Sequence, residues 1–165
     1  MKTGFHIFIC LLVLPVFLLA QDSLLVNQKY LNFEINRTPL ISAGYFLQNR
    51  LALEAGIALA FDGERDSNGL GIRLGLDKYF GAAKLTPFAG GYVLFEINPD
   101  ALSTASWDGS RLTFGGQWGL NYFILNNLAI AGTIGGELLL NSPKDQDNST
   151  KLTSFTSGLK FRFFF

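Results

Sequence analysis

Beyond residue 20 the chain alternates, and this alternation limits what it can fold into. In 51–61, Leu51, Leu53, Ala55, Ile57, Leu59 and Phe61 share one parity, and Ala52, Glu54, Gly56, Ala58 and Ala60 share the other. Leu70, Ile72, Leu74 and Leu76 alternate in the same way with Gly71, Arg73, Gly75 and Asp77. Leu112, Phe114, Trp118, Leu120 and Tyr122 form a third such row, and Phe155, Leu159, Phe161, Phe163 and Phe165 a fourth. A period of two is the strand signature, because successive side chains point to opposite faces. No apolar run long enough for a membrane helix follows Ala20. The pattern predicts an all-β chain with eight strands, near 29–36, 39–47, 51–61, 69–80, 85–97, 111–124, 127–140 and 151–165.

Connection lengths order the strands. Gln48–Arg50, Gly81–Lys84 and Leu125–Asn126 are tight, whereas Asp62–Asn68, Asn98–Ser110 and Asn141–Thr150 are long and polar. Asn36–Pro39 is a short member of the long class. Short turns on one side and long loops on the other are the habit of outer-membrane barrels with an even strand number. Most of the strands reach the ~9–11 residues that cross a bilayer at a tilt. The predicted architecture is an eight-stranded antiparallel up-and-down transmembrane β-barrel occupying 29–165. Its tight turns face the periplasm.

Residues 1–20 read as a signal peptide. Lys2 precedes the apolar run Phe5–Ala20, and Leu18-Leu19-Ala20 offers a cleavage site. Residues 21–28 are then a short N-terminal segment. Cleavage removes Met1, His6 and Cys10, and no His, Cys or Met follows. Disulfides, imidazole-based dyads and typical zinc ligation are thereby excluded from the mature chain. The Gly71-x-x-x-Gly75 spacing lacks the context of a phosphate loop, and Asp145-x-Asp147-x-Ser149 lacks the Gly and distal Glu of a calcium loop. No cofactor is expected. The full chain has 13 acidic and 13 basic residues, a balance that argues against nucleic-acid binding.

Parity sorts the strand charges. With the large aliphatic rows outward, Glu34, Glu54, Arg73, Asp77, Glu96, Arg111, Glu137, Lys160 and Arg162 all fall on the inner face, and only Lys29 and Lys78 fall outside, near the turn end. Arg or Lys on the lipid face at mid-membrane costs about 2–4 kcal/mol. Eight strands leave an interior that side chains can fill. A closed, salt-bridged lumen is expected in preference to a proton or ion path. Gly71, Gly75, Gly115, Gly119 and Gly135 are expected to make room for the long Arg and Glu side chains.

Aromatics mark one rim. Tyr45–Ile57 and Tyr122–Ile134 are identical at six of thirteen positions, and Tyr79-Phe80 is a third, shorter copy. Tyr45, Phe46, Tyr79, Phe80, Tyr122, Phe123, Phe163 and Phe165 therefore end the four descending strands as an interfacial girdle. The long loops are mainly acidic, which suggests bridging to anionic lipid through divalent cations.

These residues carry a resemblance. The chain is similar to the small eight-stranded outer-membrane β-barrel proteins, especially the outer membrane protein beta-barrel domain family common in Bacteroidetes-like bacteria. The likeness lies in Gly44-Tyr45-Phe46 followed by Asn49-x-Leu51-Ala52, in Asn121-Tyr122-Phe123, and in Thr86-Pro87-Phe88. Phe165 resembles the terminal aromatic read by the barrel-assembly machinery. The resemblance implies the fold and a bacterial outer-membrane location more firmly than any activity. The very short first loop departs from it. The expected function is a non-enzymatic, monomeric, lipid-embedded barrel with a structural or surface-interaction role exerted through its loops. A small lipid-acting outer-membrane enzyme and a soluble lipocalin-like periplasmic binder are the alternatives.

Overall fold

Alternation gives each strand two faces, and hydrogen bonding joins the strands in chain order. The computed structural model describes residues 28–36, 38–47, 50–62, 67–81, 83–102 and 108–165. The expected signal peptide, residues 1–20, and nearly all of the 21–28 segment lie outside them. The strands are β1 (Lys29–Ile35), β2 (Leu40–Phe46), β3 (Leu51–Asp62), β4 (Ser67–Tyr79), β5 (Leu85–Ile97), β6 (Gly109–Leu125), β7 (Leu128–Pro143) and β8 (Ser149–Phe164). Each pairs antiparallel with the next, and β8 pairs back with β1 to close the barrel. Closure leaves no free sheet edge along the paired lengths.

The register reveals the tilt. Ladder partners followed from Phe33 run through Ile41, Ile57, Ile72, Phe95, Leu112 and Leu140 to Thr150. The β8 partner of Phe33 itself is Phe161. The path climbs rather than returning on itself, so the strands are tilted and staggered as barrel closure requires. Up to Leu140 this path is one apolar spiral, and Phe33, Ile41, Ile57, Ile72, Phe95 and Leu140 are all exposed on the outer surface.

Three features differ from the pattern-based expectation. Half of the 141–150 loop is strand, because Asn141–Pro143 stays in register with Gly109–Arg111 and Asn141 pairs with Ser149. The 98–110 connection contains a short helix, α1 (Pro99–Leu102). A bulge sits in β8, where Gly135 faces Thr156 but Glu137 faces Thr153. The extra residue flips parity above it, so Lys151 lies opposite the buried Leu139 and shares the lumen face.

Candidate functional site

All nine strand charges sorted by parity to the inner face are buried, whereas Lys29 and Lys78 are exposed. The inner charges form three groups at different depths. In the middle, Glu34 receives Arg73 and, at 3.2 Å, the Lys160 ammonium. Gln117 joins this cluster to the next one. Its Oε1 accepts from Lys160 at 3.1 Å and Arg73 at 3.3 Å, and its Nε2 donates to Asp77 at 2.7 Å. Arg162 reaches the other Asp77 oxygen at 3.3 Å. Glu54 is held by neutral donors, the Tyr30 hydroxyl at 3.0 Å and Asn32 at 3.5 Å.

Toward the loop end, Arg111 grips Glu96 with two N–H groups at 2.5 and 2.7 Å. The fork geometry of guanidinium suits this two-point contact. Thr38, from the first connection, donates to the same carboxylate at 2.8 Å. Glu137 accepts from the Tyr92 hydroxyl, and the Tyr92 ring lies 4.0 Å beneath the Arg73 guanidinium. The ion-pair groups thus use Gln117, Asn32, Tyr30, Tyr92 and Thr38 as well as the charges. Inward parity marks the first four in the sequence, but a search restricted to charges passes over them.

The turn end is filled by rings. Tyr30, Phe46, Tyr79, Phe88 and Phe164 are buried together, with Phe123 packed against them. Phe46 and Tyr79 lie 4.9 Å apart, and Tyr79 and Phe88 5.2 Å. Arg162 caps this layer, 4.5 Å above Phe88. The aromatic pairs therefore divide between two structures. Tyr45, Phe80, Tyr122, Phe163 and Phe165 are exposed on the outer rim, but Phe46 and Tyr79 point into the lumen and Phe123 is half-buried. Consecutive strand residues cannot share a face, so Phe46 and Tyr79 belong to an inner plug and not to the girdle. At the loop end Leu102 of α1 packs on Leu40 and Ala58.

Glycines shape this packing in a way that charge parity does not anticipate. A Cβ on Gly44 would lie 2.0 Å from the Tyr30 ring, and one on Gly119 would lie 2.3 Å from the Phe88 ring. Both pairs are direct ladder partners, so each ring lies flat across a glycine on the next strand. Gly115 seats Tyr92 similarly. The expectation that Gly71, Gly75, Gly115, Gly119 and Gly135 accommodate Arg and Glu is corrected in part: Gly75, Gly71 and Gly115 lie opposite Glu54, Glu96 and Glu137, but the atoms nearest a Cβ on Gly115 and Gly119 belong to the Tyr92 and Phe88 rings. A Cβ on Gly135 would meet the Gly116 carbonyl.

Among the described residues, no three acidic, His or Cys side chains converge to hold a metal ion. A cavity of about 230 Å³ opens on the β7–β8 side, lined in part by Glu34, Asn36, Tyr92, Glu137 and Thr156.

No family model and no curated protein matches the chain. Its fold is nevertheless that of an outer-membrane barrel domain. The solved N-terminal β-barrel domain of Pseudomonas aeruginosa OprF superposes with a TM-score of 0.53 at 17% identity, covering 85% of this chain and 98% of that one.

Proposed function

We propose that the chain is a non-enzymatic outer-membrane barrel whose lumen is closed to ions and whose working face is its loop end. One observation carries this reading: every buried strand charge points inward, while the outer wall presents Leu53, Ile57, Leu59, Ile72, Leu74 and Leu76 without a charge among them. A soluble barrel would have no use for such a surface, and a lipocalin-like binder would turn these rows toward a ligand. Rings, ion pairs and the Leu102 cluster occupy successive depths of the lumen, which favours a scaffold over a pore.

The same reading places the tight turns in the periplasm and α1 at the cell surface, with the outer Tyr122 and Phe163 at the inner interface. Lys84 lies 5.4 Å from the Tyr122 ring, an arrangement suited to the headgroup level. Phe165, exposed beside Lys29 and exchanging backbone hydrogen bonds of 2.9 and 3.1 Å with it, is the residue offered to the barrel-assembly machinery. The protein works as a monomer in lipid. Reconstitution tests the reading. Folded protein extracted in detergent migrates differently before and after boiling, and in planar bilayers it gives no conductance above background. A protein freely soluble without detergent, or a steady unitary conductance, contradicts it.

A further inference from the structure

The barrel wall is uneven, and its low side coincides with the cavity. Among the described residues, β1 pairs with β8 only from Tyr30 to Ile35, whose partner is Leu159. β8 continues past that point from Gly158 up to Ser149. On the other flank, β2 begins at Leu40, its pairing with β3 runs up to Ile41 opposite Ile57, and β3 continues from Ala58 to Asp62. Thr38 of the first connection points inward, buried against Glu96. Among the described residues this leaves a notch about two strands wide, rising roughly 15 Å along the β3 flank at ~3.3 Å per residue. On the side away from β7, the backbone groups of β8 from Ser149 to Gly158 have no ladder partner among the described residues. In hydrocarbon such groups must find another partner.

The cavity opens behind this notch. Its lining combines lumen-facing Glu34, Glu137, Tyr92 and Thr156 with Phe155 and Ser157 of the β8 edge, so it wraps from the lumen around that edge. The bulge lies here too, between Thr153 and Thr156, and bulges recur where a strand must re-aim side chains. α1 packs on β3, β4 and β6, the side away from the cavity. The approach from outside is apolar: Leu152 and Phe155 are 75% and 68% exposed, and apart from Phe165 no large hydrophobic of the described outer surface is more exposed; Ile35 and Leu159 are exposed beside them. The polar lining is rich in acceptors, namely two carboxylates, hydroxyls and the β8 carbonyls. At about 230 Å³ it is smaller than the roughly 300–1,000 Å³ that encloses a whole drug-sized ligand. It fits a headgroup whose chain stays outside.

We propose that this notch is a lateral binding site for an amphiphile of the outer leaflet. A hydroxyl- or amine-bearing headgroup enters the cavity and donates to Glu34, Glu137 and the β8 edge, while the acyl chain lies along Leu152, Phe155 and Leu159. The site rests on the outer-membrane reading above, which makes the notch face lipid.

The test uses the full mature chain in phosphatidylcholine vesicles, with photoactivatable alkyl glucoside, alkyl amine and alkyl sulfate probes carrying a diazirine in the tail. Heat-modifiable migration first establishes insertion. The glucoside and amine should label Leu152–Leu159 saturably and several-fold above the rest of the wall, and the sulfate should not. Thr156→Trp, which fills the cavity, should abolish this enrichment while insertion is retained. Glu137→Gln should weaken the amine selectively. Even labelling around the wall, or enrichment unchanged in both variants, overturns the site but leaves the membrane reading intact. Failure to insert overturns both.

Discussion

The two ends of the barrel solve the same closure problem differently. At the turn end all eight strands take part, rings fill the lumen, and glycines on neighbouring strands seat those rings. At the loop end β1 and β2 stop early, β6–β8 extend to Gly109, Pro143 and Ser149, and a four-residue helix packs on the β3–β4 side of the mouth. The turn end is built from shape and the middle from paired charge. The loop end is left partly open. Stability should therefore concentrate in the lower half, and the freedom to engage other molecules in the upper.

Substitutions can break this comparison. The largest effects belong to the fully buried groups. Phe46→Ala empties the centre of the ring layer and Arg73→Ala removes one of the two cations that hold Glu34, each destabilising by about 3 kcal/mol, read from urea unfolding in vesicles. Asp147→Ala, at the exposed tip of the β7–β8 hairpin, should stay within about 0.5 kcal/mol. If Asp147→Ala cost as much as Arg73→Ala, the division between halves would be wrong.

Next in size is the lipid face. Ile57→Arg on the apolar spiral should cost about 2–4 kcal/mol, and Leu152→Arg near the loop end about 0–1 kcal/mol, measured in the same unfolding series. Equal costs would mean that the depths assigned to the two positions are mistaken.

A smaller contrast separates the glycines. Gly119→Ala must displace the Phe88 ring and should cost about 1–3 kcal/mol. Gly116→Ala, whose Cβ would meet nothing within 4 Å, should be neutral within about 0.5 kcal/mol. Smallest is Thr38→Val, which removes the hydroxyl that holds the first connection to Glu96. It should cost about 1 kcal/mol and raise protease cleavage at 36–39 without altering the ring layer.

Much of the lower half is legible in sequence because period two is uninterrupted there. The same parity that puts Leu70, Ile72, Leu74 and Leu76 outside puts Arg73 and Asp77 inside, and the structure places these charges beside Glu34, Gln117 and Arg162. The aromatic pairs were misleading for the same reason. Adjacency in sequence looks like a single girdle, yet a strand must send Phe46 and Tyr45 to opposite faces. The loop end is harder to read. Nothing local in Asn141–Pro143 marks a strand, and its conformation comes from pairing with Gly109–Arg111 across the sheet. The β8 bulge is a property of two strands in register, so it leaves no mark on β8 alone. The short 36–39 connection was visible as an exception, but that it lowers the wall follows only from the neighbouring strand lengths.

The central claim is that the barrel is inside out, with apolar rows to lipid and charges to the lumen. Residues 21–165 contain no Cys, so single cysteines introduced along β4 from Leu70 to Asp77 can each carry a spin label without background. In vesicles, collision with oxygen dissolved in the bilayer should peak at Leu70, Ile72, Leu74 and Leu76 and fall at Gly71, Arg73, Gly75 and Asp77. The reverse phase, or no period of two, would contradict the account.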